Sequence, residues 1–157
     1  KHLIKLFKKK NFPATILRLY QAYGPCQDLN RFIPIVVESC IKNKKFPCSE
    51  GKQFRDFLYI DDVIEAIIKS LLNRKARGNI INVGSGKPLN IKKIIEYTKF
   101  LTKGGQPQFG KIKLRKDEVL KIYPNIEKAK KKINWKPKIS FNKGIKSTIK
   151  FYNENKN

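Results

Sequence analysis

Arg55 and Arg115 are the first side chains whose chemistry stands out. The chain carries 36 lysines and arginines, and only six of them are arginine. Lysine occurs in nearly every segment, so no single lysine is informative. A guanidinium is rarer here and can give two parallel N–H bonds to one phosphate or carboxylate. Arg55 allows two readings: an anion contact, or a structural pair with Asp56 or Asp62 at a strand–helix junction. Arg115 lies among Lys111, Lys113 and Lys116, where an ordinary surface cation is the plainer reading; Glu118 could orient it or simply stand exposed. Asp61 and Asp62 look like paired carboxylates suited to acid/base work. Adjacent at a helix start, they read instead as cap and dipole partner. Gly84-Ser85-Gly86 resembles a phosphate loop, but it lacks a third glycine and Pro88 follows, so a tight turn is favoured. His2, the sole histidine, reads as a solvated helix residue. Cys26, Cys40 and Cys48 form no C-x-x-C pair, which supports neither a disulfide framework nor a zinc site. Reduced thiols and a cytoplasmic setting are expected.

The elements that must position these residues alternate between helix and strand. Residues 1–10 read as the end of a basic amphipathic helix, and 14–20 as a buried strand. Helical spacing covers 32–42, with Pro34 in the first turn. Residues 54–60 have strand composition, and Asp61 or Asp62 then caps a strong helix that stops by Gly78. A strand over 79–83 leads into the glycine turn, Asn90 caps a helix over 91–101, and 104–107 is a loop. A short strand over 111–114, a helix over 126–133 with Trp135 as core anchor under the last two helices, and a Ser140-capped helix over 141–152 complete the pattern. This alternation predicts an α/β class with mixed strand directions.

The composition, 40% hydrophobic over 157 residues, describes one folded domain and not a disordered chain. No apolar run is long enough to span a membrane, and no signal peptide is visible. The formal charge of +24 would suit a polyanion binder such as a nucleic-acid-binding module. However, Lys, Ile and Asn are inflated together, as in an A/T-rich gene, and base readers favour arginine. A chain that begins with Lys and lacks Met reads as a fragment.

Four segments, in order, resemble one family. They are R-L-Y-Q-A-Y-G-P from Arg18, K-Q-F-R-D-F-L-Y-I-D-D from Lys52, N-I-I-N-V-G-S-G from Asn79, and R-K-D-E from Arg115 followed by Y-P-N, K-A and I-N-W-K-P. Together with the final S-F-N-K-G-I-K-S-T-I-K-F-Y they resemble the C-terminal part of extended short-chain dehydrogenase/reductases, the NAD(P)-dependent sugar-nucleotide epimerases and dehydratases, over about residues 11–152.

The resemblance implies a Rossmann-type α/β protein of which residues 1–157 hold the smaller mixed α/β substrate-binding region and the last elements of the cofactor domain. The glycine fingerprint and the catalytic Tyr–Lys pair would lie upstream, leaving no catalytic residue and no metal site here. It also implies a nucleoside-diphosphate sugar as partner, NAD or NADP as cofactor of the full-length protein, no specific nucleic acid, and a homodimer as the family's common state. By the same resemblance Arg55 and Arg115 would bind the pyrophosphate, with Glu118 at the acidic position after Arg115. Gln21 stands where the family has Asn. Pro47, Cys48 and Gln53 would pack beside the nucleotide base, and Tyr20 would approach the nicotinamide. Alone, such a fragment would be inactive and would expose an apolar face.

Overall fold

A computed structural model describes residues 2–155. Helix α1 (His2–Lys10) leads to two short strands, β1 (Ile16–Leu19) and β2 (Gln21–Tyr23), with Tyr20 between them. Helix α2 (Phe32–Ile41) and β3 (Lys45–Pro47) follow, then β4 (Phe54–Arg55), β5 (Phe57–Tyr59) and α3 (Ile60–Leu72). A 3-10 turn (Arg74–Ala76) precedes β6 (Ile80–Val83), β7 (Leu89–Asn90) and α4 (Ile91–Thr102). The chain closes with β8 (Gln106–Gln108), β9 (Lys121–Ile122), α5 (Glu127–Ile133) and α6 (Phe141–Glu154).

The strands pair across long sequence distances, mostly in parallel. β1 pairs with β6, β2 with β5 and β3 with β8, while β4 lies between antiparallel β7 and parallel β9. Parallel strands need crossovers, which the helices supply. The expected strand over 54–60 is two strands, interrupted at Asp56. Period-two alternation in β5 sends side chains to two cores. Phe57 and Tyr59 face a cluster closed by α2, α4 and α6, and Leu58 faces a second cluster under β6, α3 and α5. Gly144 allows the close approach of α6, since a Cβ there would strike the Tyr23 hydroxyl and the Tyr59 ring. Tyr23 is therefore a core aromatic, and its hydroxyl donates to the Phe141 carbonyl at 3.2 Å.

Two caps form as expected: Asn90 accepts from the Lys93 N–H at 3.1 Å and Ser140 from the Lys143 N–H at 3.3 Å. Several expectations are corrected. Neither Asp61 nor Asp62 caps α3. Tyr59 occupies the N-cap, and the buried Asp62 carboxylate instead accepts the N–H groups of Lys138 and Ile139 at 3.0 and 2.9 Å. The strand after α4 lies at 106–108, overlapping the expected loop, and residues 111–114 are a bend and irregular chain, not a strand. Trp135 is a core anchor, but its neighbours are α3, α5 and β6, and its indole N–H donates to the Asp62 carbonyl at 3.0 Å. β1 is half exposed along its length and not buried. No described helix is long and apolar enough to cross a membrane.

Candidate functional site

Two adjoining cavities of about 550 and 460 Å³ form one groove, because Gln21, Phe32, Arg55 and Phe57 line both. The first cavity is walled by the β1–β2 junction, including Tyr20, and by Gln27, Arg31 and Asp56. The second has an apolar floor, with Val36, Phe46, Ile91 and Ile95 contributed by α2, β3 and α4. Its rim is polar. Arg55, Lys113, Arg115 and Glu118 are its charged members, a net of two positive charges.

The residues singled out in the sequence gather here. Gln21, Pro47, Cys48, Gln53, Arg55, Arg115 and Glu118 all line the second cavity, and Tyr20 lines the first. Pro47, the last residue of β3, is exposed and Cys48, just after it, is buried; β3 is bonded to β8. The Gln53 amide exchanges hydrogen bonds with the Ser49 hydroxyl, 3.1 Å as donor and 3.3 Å as acceptor. The exposed Gln21 is held through its backbone, its N–H donating to the Asp56 carbonyl at 3.1 Å.

Arg55 pairs with neither Asp56 nor Asp62. Its guanidinium is bound to the Glu118 carboxylate and donates to the carbonyls of Phe54 (2.9 Å) and Leu120 (3.4 Å). Three of its five N–H donors are thus engaged. Glu118 therefore orients Arg55, not Arg115. Asp56 is occupied by Ser85, so the amides of the Gly84-Ser85-Gly86 turn face an internal carboxylate and not a phosphate. Among the described residues, Arg31 and Arg115 have no carboxylate within ion-pair distance.

Arg31 went unnoticed in the sequence. It is the N-cap of α2, where the helix dipole disfavours a cation, and that placement was the available signal. Three of the six arginines thus line the groove. The site has no described cluster of His, Cys, Asp and Glu suited to a metal. His2 is exposed on α1. Burial pushes the Cys48 thiol up, and the hydrogen bond with the Gln108 backbone draws it partly back. Chemically the groove can hold an anion beside a flat apolar group; its two lining carboxylates, Asp56 and Glu118, are engaged by Ser85 and Arg55.

The chain is similar to known proteins. The family model for NAD dependent epimerase/dehydratase matches residues 1–84. CDP-abequose synthase of Salmonella typhimurium is 33% identical over 141 residues, covering 85% of this chain and 46% of that protein. UDP-glucuronate 4-epimerase of Thermodesulfobacterium geofontis is 37% identical over 147 residues, covering 90% and 43% respectively. The crystal structure of UDP-glucuronic acid 4-epimerase from Bacillus cereus, in complex with UDP-glucuronic acid and NAD, superposes with a TM-score of 0.87 at 25% identity, over 98% of this chain and 49% of that one. The chain spans about half the length of the curated relatives it matches. Fold, motif order and family model agree: the chain belongs to the NAD-dependent epimerase/dehydratase family.

Proposed function

We propose that this chain forms the nucleoside-diphosphate-sugar-binding wall of an NAD(P)-dependent epimerase, dehydratase or reductase, and that it does not turn over substrate by itself. The observation that carries the reading is the second cavity, where an apolar floor lies beside a rim with a net of two positive charges. A nucleoside diphosphate has matching parts: a flat base for the floor and a pyrophosphate for Arg115, Lys113 and the remaining donors of Arg55. Gln21 stands where the two cavities meet and Tyr20 beside it in the first, the place for the sugar to extend. Holding the ring there would orient its reacting carbon.

A nicotinamide dinucleotide fits only one edge of the described residues. Tyr20 at the end of β1 offers a contact, but the amides of the glycine turn are engaged by Asp56. The cofactor's phosphates would be held by a part of the enzyme outside these 157 residues, together with the Tyr–Lys pair. When bound, NAD(P) accepts and returns a hydride. The exposed apolar side chains Ile64, Ile68, Leu71 and Leu72 of α3 support such a neighbouring half.

Calorimetric titration with UDP, dTDP and CDP tests the reading. Saturable one-to-one binding is expected, weakened about tenfold or more by Arg115→Ala. Loss of nothing in that variant would sink the assignment. Adding NAD and a sugar nucleotide to the chain alone should give no hydride transfer.

A further inference from the structure

The two small parallel sheets, β1 with β6 and β2 with β5, meet at Asp56. This residue is 1% exposed and fills the break between β4 and β5. Its carbonyl accepts the N–H of Gln21, the first residue of β2. Its carboxylate accepts the Ser85 N–H at 2.6 Å and the Ser85 hydroxyl at 2.8 Å, both from the loop that follows β6. The approach is close enough to require glycine at position 84, where a Cβ would stand 2.8 Å from Asp56 Oδ1 and would also strike Pro124. Pro124 in turn follows β9, whose Ile122 is the register partner of Arg55.

A buried carboxylate of this kind adds little net stability, because desolvation offsets what its hydrogen bonds contribute. Burial pushes the Asp56 carboxyl up, while the N–H groups of Ser85, Gly86 and Lys87 and the Ser85 hydroxyl draw it back. What the side chain does supply is a tie between the loop after β6 and the β4–β5 junction, while the backbone of the same residue holds the start of β2; the junction and β2 carry groove residues. Arg55 precedes Asp56 in the chain, and Gln21 is bonded to its backbone.

We propose that Asp56 is a positioning residue for the groove: by clamping the loop after β6 to the β4–β5 junction, its carboxylate fixes where Arg55 and Gln21 meet the diphosphate of a bound nucleotide. This inference rests on the groove being a nucleotide site.

The test is titration of UDP and of uridine into the full chain and its Asp56→Asn variant, which keeps the side chain's volume and loses its charge. UDP affinity should fall about tenfold while uridine affinity holds. Ser85→Ala should give a smaller loss of the same kind, not additive with Asp56→Asn. Equal losses for both ligands, or no loss, overturn the proposal. Should Asp56→Asn fail to fold, Ser85→Ala carries the same reading, with Ser85→Thr restoring the hydroxyl and the UDP affinity. A wild-type chain that does not distinguish UDP from uridine overturns the nucleotide reading instead. The role of Asp56 is then decided without ligand by two-dimensional NMR. There Ser85→Ala or Asp56→Asn should move the Gln21 amide and Arg55 guanidinium signals and leave α6 in place. Unmoved Gln21 and Arg55 signals overturn the proposal.

Discussion

The two hydrophobic clusters differ in how completely the chain closes them. Around Tyr23, Phe57 and Ile145, helices α2, α4 and α6 pack on one another and enclose the strands between them. Around Leu58, Val83 and Trp135, the β1–β6 pair is covered by α3 and α5, yet Leu19 on β1 and Ile64, Ile68, Leu71 and Leu72 on α3 remain exposed. Parallel strands ordinarily bury both faces. The first region is enclosed by three helices and carries the groove, though Ile35 on α2 and Phe100 on α4 are exposed, while the second presents a run of exposed apolar side chains along α3. A groove can therefore be well formed in a chain whose other side presents exposed apolar side chains.

The comparison breaks most readily at Trp135. Trp135→Ala should destabilise by about 3–5 kcal/mol, read as a lower urea midpoint. Hydrogen exchange should show the loss in β6, α3 and α5 before it reaches α2 and α4. Simultaneous loss in both regions would mean one cooperative core. Asp62→Ala comes next. It leaves the Lys138 and Ile139 N–H groups without their acceptor and should cost about 2 kcal/mol, freeing the segment that leads into α6.

A pH scan sharpens the contrast from the other side. Burial pushes the Cys40 thiol in the first cluster up to about 11, helped by Cys48 and opposed by a hydrogen bond with Thr102. A pKa raised on folding means the contribution is complete below the thiol's ordinary value and lost as pH rises through the folded one. Stability should therefore hold to about pH 9 and then decline towards pH 11, by about 3 kcal/mol at most. Cys40→Ala should remove that part of the decline. The smallest effect belongs to Leu71→Lys, within about 0.5 kcal/mol because this side chain is 78% exposed. A large loss there would show that α3 is already covered.

The helices were legible because their signals are local: Asn90 and Ser140 cap through bonds spanning three residues. The K-I-K-L pattern at 111–114 alternates like a strand but makes only one long-range backbone bond among the described residues, from the Ile112 N–H to the Cys48 carbonyl, whereas Gln106-Pro107-Gln108 has poor strand composition and pairs because α4 delivers it beside β3. Long-range polar bonds were not readable. Nothing near Asp62 points to residues 138 and 139, and nothing near Glu118 points to Arg55, 63 positions away. The residues of the groove came from motif resemblance, since neither charge nor periodicity separates Arg115 from its lysine neighbours.

The central claim, that the groove between α2, β3 and the Arg115 segment takes a nucleoside diphosphate, is tested most directly by mapping NMR shifts as UDP is added at two salt concentrations. The account predicts saturable shifts confined to groove residues such as Gln21, Phe46, Gln53 and Arg115, with modest salt dependence. Shifts spread over surface lysines, vanishing together at moderate salt, would contradict it and leave only a generic basic surface.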